Sequence, residues 1–297
     1  MNAPRIVLIS DTHLSRARPF FHANWELLLR ELAEAPAPEF FLITGDVALD
    51  GPSREDDLAF ARAEFDRLPA PWRAVPGNHD IGSNRPDLRG EHVVDEARRA
   101  AWTRHFGPDW WSLDCGAWRL VGLNSLIAGS GMAAEAEQAA FLDDAIATAG
   151  SRQVALLTHK PLCIQDMLET GRSTTCWYPE TRELIARHAR EGRISTIFTG
   201  HLHEARDRLI GGVRHVWLPG LAFVMDVMGE WQPQRGGRRQ VGFVECTLGA
   251  ELSLAWHAPH SLLNTDIGNW LRGGAIGHYA TLAGEAAPYP GLNPPKG

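Results

Sequence analysis

Seven side chains of metal-binding type are spread along the chain in five short motifs. A pair of divalent cations needs about this many oxygen and nitrogen ligands if the two ions share one carboxylate. Such a pair is well suited to in-line displacement at phosphorus. The motifs are Asp11-Thr12-His13, Gly45-Asp46, Gly77-Asn78-His79-Asp80, His159 and Gly200-His201-Leu202-His203, and the candidate ligands are Asp11, His13, Asp46, Asn78, His159, His201 and His203.

The ligand types indicate which metals fit. Two aspartates, one asparagine and four histidines form a mixed oxygen and nitrogen set, which suits Mn, Fe, Co or Zn better than Ca or Mg. The motifs contain no cysteine, so a structural zinc site is not expected.

Asp46 is the natural bridging carboxylate, and Gly45 lets the backbone pass close to the metals. Two such ions lower the pKa of a shared water, so we expect bridging hydroxide to attack phosphorus.

Two further residues of the third motif are candidate catalytic residues. His79 is left over from the ligand count, and its titration range suits contact with the phosphate and protonation of the departing alkoxide. Asp80 has two alternative roles. It either holds the His79 ring by a hydrogen bond or stabilises the turn through backbone contacts.

The composition limits the partners. The chain of 297 residues has a formal net charge of −7 and a pI near 6.0. This argues against a nucleic-acid polymer or a membrane surface as the main partner, because both need a basic face. The four cysteines form no C-x-x-C pair, so a reduced compartment fits best. We recognise neither a secretory signal nor a membrane span, and we expect a soluble cytoplasmic enzyme.

Strands and helices alternate through most of the chain, which predicts an α/β fold with mostly parallel pairing. Each of the five motifs directly follows a predicted strand. Ligands bind at the carboxyl ends of strands in open α/β sheets, so the motifs are expected to converge there. The predicted strands that precede the motifs lie at residues 5–10, 40–44, 72–75, 154–158 and 194–199.

Three other features carry structural predictions. Ser53 is a candidate cap for the helix that follows it. After His203, short strands with tight turns predict an antiparallel β-meander. Residues 1–258 are expected to form the catalytic domain. Residues 259–297 form an extension that packs on this domain or on a second subunit, so a homo-oligomer is possible.

The five motifs, in this order, resemble the calcineurin-like metallophosphoesterase superfamily, whose pattern is D-x-H, G-D, G-N-H-[D/E], H and G-H-x-H. The resemblance covers residues 5 to about 257. It implies a four-layer α/β/β/α sandwich with a dinuclear metal centre at its edge. One metal would take Asp11, His13, Asp46 and His203, and the other would take Asp46, Asn78, His159 and His201.

Within this superfamily the chain is most similar to the bacterial cyclic-nucleotide phosphodiesterase and glycerophosphodiesterase group. The resemblance implies a phosphodiesterase for a small soluble diester. The alternatives are a phosphomonoesterase, a pyrophosphatase for a nucleotide derivative, or a scaffold that keeps the fold without catalysis. Lys160 stands where many relatives have a second histidine. It either binds a phosphate oxygen or points to solvent.

Several residues near the motifs are candidates for the substrate pocket, because ligand sites gather on such loops. For Trp177 and Tyr178 the alternatives are stacking on a base or sugar and packing in the core. The other pocket candidates are Arg16, Arg18, His22 and Asn124.

Overall fold

The computed structural model of the chain describes residues 3–84, 92–225 and 236–267. The strands in these ranges are β1 (Arg5–Ile9), β2 (Phe40–Ile43), β3 (Trp72–Ala74), β4 (Trp111–Cys115), β5 (Trp118–Gly122), β6 (Gln153–Thr158), β7 (Thr196–Thr199), β8 (Arg206–Ile210), β9 (Val213–Trp217), β10 (Phe243–Leu248) and β11 (Leu252–His257). The α-helices are α1 (His22–Glu34), α2 (Glu55–Phe65), α3 (Asn78–Ile81), α4 (Glu96–Phe106), α5 (Ala133–Ala147) and α6 (Glu183–Arg190).

The strands form two sheets. The first sheet has the order β11-β10-β1-β2-β3, and the second has the order β4-β5-β6-β7-β9-β8. In the first sheet β1, β2 and β3 run parallel, and in the second sheet β5, β6, β7 and β9 do so. Parallel neighbours bring several strand carboxyl ends to the same edge of each sheet, as the alternation of strands and helices predicted.

Alternating side chains of the strands pack into different cores, which shows how the layers stack. Leu8 of β1 joins a core between the two sheets, whereas its neighbour Ile9 joins the core under the helices that cover the first sheet. In β6, Leu157 faces the core between the sheets and Leu156 faces the core under α5 and α6. Because successive strand residues point to opposite faces, both sheets are covered on both sides. The four-layer α/β/β/α sandwich is confirmed.

Two local predictions were wrong. The strands after His203 do not form one meander. Instead, β8 and β9 form a hairpin at the edge of the second sheet, whereas β10 and β11 form a hairpin in the first sheet. Ser53 does not cap α2, because that helix begins one residue later than the prediction required. Its N-cap residue is Arg54, which makes no side-chain cap hydrogen bond, while the Ser53 hydroxyl contacts His92.

The first part of the predicted extension packs against the sandwich. Leu262 and Ile267 are buried, and the backbone of residues 265–267 pairs with Val224. Residues 268–297 of that extension are outside the described ranges.

All four cysteines are buried free thiols. Within the described ranges, no helix is long and apolar enough to cross a membrane.

Candidate metal centre

The five motifs meet at one edge of the sandwich. Asp11, Asp46 and Asn78 follow β1, β2 and β3 of the first sheet, while His159 and His201 follow β6 and β7 of the second. Hydrogen bonds join the loops. The Asp11 amide donates to the Gly45 carbonyl at 3.0 Å, and the His201 amide donates to the Asp11 carboxylate at 3.1 Å. The predicted convergence of strand ends therefore occurs, and it involves both sheets.

Left-handed backbone conformations are concentrated in this site. Within the described ranges, the non-glycine residues with positive φ are Asp11, His13, Asp46, His201 and His203. Their φ angles lie between 44° and 69°. Each such conformation costs about 1 kcal/mol or more and persists only where the surrounding structure enforces it. All five residues are candidate ligands, so the fold holds these side chains in a strained arrangement.

The first group of candidate ligands comes from the first and last motifs. Asp11, His13 and His203 place one ligand atom each within 4.8 Å of the others. His203 Nε2 lies 3.3 Å from Asp11 Oδ1 and 3.3 Å from His13 Nε2. All three residues are buried. This first ligand group could hold one metal ion.

The second group combines residues from both sheets. Asp46, His159 and His201 also place one ligand atom each within 4.8 Å of the others. His159 Nε2 lies 3.1 Å from Asn78 Oδ1, 3.1 Å from His201 Nδ1 and 3.3 Å from Asp46 Oδ2. This second ligand group, made of Asp46, Asn78, His159 and His201, could hold another ion.

The carboxylate of Asp46 connects the two groups. Its Oδ2 atom lies 3.3 Å from His159 Nε2 of the second group and 3.8 Å from His13 Nε2 of the first group. The other oxygen, Oδ1, accepts the His79 amide hydrogen at 2.8 Å. One oxygen is thus fixed by the backbone while the other faces both groups, which is the position of a shared ligand.

The hydrogen bonds of two histidine rings indicate that these atoms suit cations. His159 Nδ1 donates to the Thr44 carbonyl and His203 Nδ1 donates to the Phe223 carbonyl, each at 2.8 Å. In a neutral ring the Nε2 atom then carries a lone pair. Both Nε2 atoms face carboxylate oxygens and further ring nitrogens. Converging acceptors repel one another unless a proton or a metal ion lies between them, and this set of oxygen and nitrogen donors fits divalent metals.

Neighbouring charges oppose the effect of burial on the pKa values of the site. Burial alone would raise the pKa of Asp11, but His203 and His159 together lower it to about 2. Burial disfavours a charged His159, yet Asp46 and Asp11 together raise its pKa to about 9. Burial would also raise the pKa of Asp46, but the surrounding histidines together hold it well below its usual range. The carboxylates therefore create a negative potential that attracts cations.

His79 lies at the opening of the site. It is partly exposed, and its ring centroid is 4.6 Å from that of His13 in an edge-to-face arrangement. His79 Nδ1 donates to the Leu49 carbonyl at 2.8 Å. One ligand atom of His79 lies within 4.8 Å of ligand atoms of both His13 and Asp46. The ring is thus held beside both ligand groups.

Asp80 stabilises the turn through contacts with the backbone. Its two oxygens accept the amide hydrogens of Ala48 at 2.8 Å and Gly77 at 2.7 Å. The side chain is buried, so it has no access to a substrate. Burial and the charge of Asp46 raise the pKa of Asp80 to about 7. Of its two alternatives, the structure shows the backbone role.

Close backbone packing at Gly77 fixes the position of Asp46. A Cβ atom on Gly77 would overlap the amide nitrogen and a carboxylate oxygen of Asp46. The glycine of the third motif is therefore required by its contact with the second motif. Its φ is −109°, so the requirement comes from space and not from backbone conformation.

The structure excludes one of the two alternatives for Lys160. The side chain is 1% exposed, and Nζ donates to Ser83 Oγ at 2.9 Å and Asn84 Oδ1 at 3.0 Å. It therefore does not point to solvent, and its charge contributes to a lowered pKa of His201, after burial and His159. Lys160 links the strand end that carries His159 to the segment that follows α3.

The other pocket candidates lie in different surroundings. Trp177 and Tyr178 are buried, and Trp177 belongs to the core under α5 and α6, which is the packing alternative. Asn124 is buried and donates to Asp109 at 2.9 Å. His22 lies beside Glu26 and Glu64. Arg18 pairs with Asp50 and Arg16 lines a surface cavity of about 380 Å³.

Three residues of the site were not predicted from the sequence. Thr44 Oγ1 donates to Ser10 Oγ at 2.6 Å, and Ser10 Oγ donates to the Asp11 carboxylate. Phe223 stacks on His203 with ring centroids 4.1 Å apart. Ser10 precedes Asp11 and Thr44 precedes Gly45 at strand ends, and these positions could have identified both as site residues. Phe223 has no motif around it.

Comparisons with known proteins agree with this geometry. The model of the calcineurin-like phosphoesterase family matches residues 4–205. A probable cyclic nucleotide phosphodiesterase from Moraxella catarrhalis (strain BBH18) is 27% identical over 214 residues, which cover 67% of this chain and 71% of that protein. The chain belongs to the calcineurin-like phosphoesterase family, and it is a metal-dependent phosphoester hydrolase.

Solved structures show the same fold. A purple acid phosphatase from yellow lupin (Lupinus luteus) seeds is 16% identical with a TM-score of 0.60, over 86% of this chain and 51% of the lupin chain. The present chain thus spans about half the length of that protein. GAP50, the anchor in the inner membrane complex of Plasmodium, is 10% identical with a TM-score of 0.58, over 99% of both chains.

Proposed function

We propose that this chain is a dinuclear metal-dependent phosphodiesterase for a small soluble diester, such as a cyclic nucleotide or a glycerophosphodiester. The observation that carries the proposal is the position of Asp46 Oδ2, which faces ligand atoms of both groups. The 27% identical relative from Moraxella catarrhalis, a probable cyclic nucleotide phosphodiesterase, supports the choice of a diester.

The proposed ligands are divided as the resemblance implied. Asp11, His13 and His203 hold one ion, Asn78, His159 and His201 hold the other, and Asp46 is shared. The mixed oxygen and nitrogen donors favour Mn, Fe, Zn or Co. Bound in such a pair, divalent ions neutralise phosphate charge and lower the pKa of water. The protein contributes the fixed geometry, which the left-handed backbone at five of these residues maintains.

His79 is the proposed catalytic acid. The hydrogen bond from Nδ1 to Leu49 fixes the ring and leaves Nε2 as the atom that exchanges a proton. A proton on Nε2 can pass to the departing alkoxide, which would otherwise leave as a strong base. The partial exposure of this side chain is consistent with access to a substrate.

The substrate class also follows from charge. A formal net charge of −7 disfavours a nucleic-acid polymer, so the proposed partner is a small phosphoester.

Self-association is a separate proposal that rests on the apolar residues of the C-terminal extension. Light scattering of the full chain tests it, and a monomeric mass would reject it.

Initial rates with manganese test the proposed function. The protein is compared on bis(p-nitrophenyl) phosphate and p-nitrophenyl phosphate, with Asp46→Asn as the metal-site control. A faster diester rate, lost in Asp46→Asn, supports the proposal and leads to cyclic nucleotides and glycerophosphodiesters. A faster monoester rate favours the phosphomonoesterase or pyrophosphatase alternative. Two bound metals with no turnover of any of these esters would favour the scaffold alternative.

A further inference from the structure

Phe223 is buried and contacts two of the candidate ligands. Its ring stacks on His203 with an interplanar angle of 16° and centroids 4.1 Å apart. The same ring lies 4.9 Å from that of His13. Its carbonyl accepts the hydrogen of His203 Nδ1 at 2.8 Å. Phe223 thus fixes both the plane and the tautomer of one ring.

The backbone just before Phe223 is anchored to the first motif and to the residue before it. The Leu221 amide donates to the Ser10 carbonyl at 2.9 Å, and the Ala222 amide donates to the Asp11 carbonyl at 3.0 Å. The segment 221–223 therefore runs beside the loop that carries the first ligand group. A displacement of this segment would move the His203 ring relative to Asp11.

A second segment holds the first in place. Asn24 Nδ2 donates to the Leu221 carbonyl at 2.8 Å and to the Leu263 carbonyl at 2.9 Å, and Asn24 Oδ1 accepts the Leu263 amide hydrogen at 2.7 Å. The Val224 amide donates to Thr265 at 2.9 Å. Asn24 is buried. Through these contacts, residues 263–267 support the segment that carries Phe223.

We propose that Phe223 is a positioning residue that sets the metal affinity of the first ligand group, and that Asn24 keeps it in place. The proposal rests on the metal assignment given under the proposed function. Partners that orient a metal-binding histidine commonly change metal affinity by about 10–100-fold when they are removed. Phe223 and residues 263–267 lie beyond the family match at residues 4–205, so this support belongs to the part of the chain outside that match.

Metal titration of the full-length protein tests this proposal. Wild type, Phe223→Leu and Asn24→Ala are titrated with manganese against a competing chelator, and bound metal is counted by elemental analysis. We expect one of the two manganese equivalents to bind about 10–100-fold more weakly in both variants, while the other is unchanged. The paramagnetic coupling signal of a manganese pair should weaken in parallel at limiting metal.

Phe106→Leu is the matched control. Phe106 is also buried, and its ring stacks on that of Trp102 with an interplanar angle of 16° and centroids 4.4 Å apart. Within the described part of the chain, Phe106 has no recorded contact with a candidate ligand. Its manganese affinity should equal that of wild type. An equal loss in Phe106→Leu would attribute the effect to general destabilisation and overturn the proposal. Thermal melts of the metal-free proteins show which variants fold.

The outcomes separate this proposal from the proposed function. Wild-type affinity for both equivalents in Asn24→Ala and in a folded Phe223→Leu would overturn the positioning role, whether or not the enzyme cleaves diesters. Weakened binding in these variants, with a wild type that turns over no phosphodiester, would support the positioning role and reject the phosphodiesterase. A wild type that binds no divalent metal would overturn both.

Discussion

Asn78 Oδ1 lies 3.1 Å from His159 Nε2, although the two residues follow strands of different sheets. Both atoms accept hydrogen bonds when His159 is neutral, because its Nδ1 hydrogen is used by the Thr44 carbonyl. A cation between them would turn a repulsive contact into a link between the sheets. The second ligand group thus joins two layers of the sandwich.

Metal removal is therefore expected to lower thermal stability. An ion at 100 times its dissociation constant stabilises the folded state by about 2.7 kcal/mol, which corresponds to about 4 °C in Tm for a chain of 297 residues. Calorimetry with manganese and after chelation measures the difference. The Asp46→Asn protein serves as the control and should show a much smaller shift. Equal melting temperatures for wild type with and without metal would contradict the prediction.

Replacement of the two aspartates should have different effects on metal content. Asp46→Asn removes the charge that faces both ligand groups, so both manganese equivalents should weaken. Asp11→Asn touches the first group, so one equivalent should remain. In each case the loss of manganese affinity should exceed the roughly 10–100-fold loss that follows removal of a residue that only orients a ligand. Elemental analysis at limiting manganese distinguishes the two patterns, and the same stoichiometry in both variants would argue against a shared carboxylate.

His79→Gln should retain both metals and lose activity. The loss should depend on the leaving group, because p-nitrophenolate departs without a proton whereas an alkoxide needs one. We expect a loss of roughly 10²–10⁴-fold on an alkyl diester and a smaller loss on bis(p-nitrophenyl) phosphate. Steady-state rates on both substrates, with metal content measured in parallel, provide the check. An equal loss on the two substrates would assign His79 to binding and not to proton transfer.

Gly77→Ala should destabilise the fold although its φ suits any residue. The added methyl group would overlap the amide and carboxylate of Asp46, and overpacking of this kind costs about 1–3 kcal/mol. Gly171→Ala is the matched control, because its Cβ would meet open space and should change stability by less than about 0.5 kcal/mol. Urea unfolding of the metal-free proteins compares them. Equal stabilities would show that the Asp46 loop can move aside.

Sequence patterns predicted the parts of this site that depend on strand ends. Asp11, Asp46 and Asn78 each follow a short apolar strand, and strand ends of a parallel sheet meet by geometry. The role of Asp80 was not predictable in the same way. Its oxygens reach the amide of Ala48, 32 residues earlier in the chain, and no local pattern distinguishes that contact from one with His79.

Other features depended on distant contacts. The hairpins β8-β9 and β10-β11 have similar local patterns, yet β9 pairs with β7 and β10 pairs with β1. Their sheets are chosen by tertiary pairing, which local periodicity does not encode. Phe223 was missed for the same reason, since its contact with His13 spans the chain. The contacts of Lys160 with Ser83 and Asn84 were not predictable either, because they join residues 77 and 76 positions apart.

The pairing of β1 with β10 has a consequence for how the chain reaches this fold. Arg5 of β1 bonds to Glu245 of β10, and the two residues are 240 positions apart. During synthesis, β1 leaves the ribosome long before its second neighbour exists. Such high contact order slows folding, and an unpaired strand edge invites pairing between nascent chains. The first strand is therefore expected to need protection by chaperones until the last hairpin arrives.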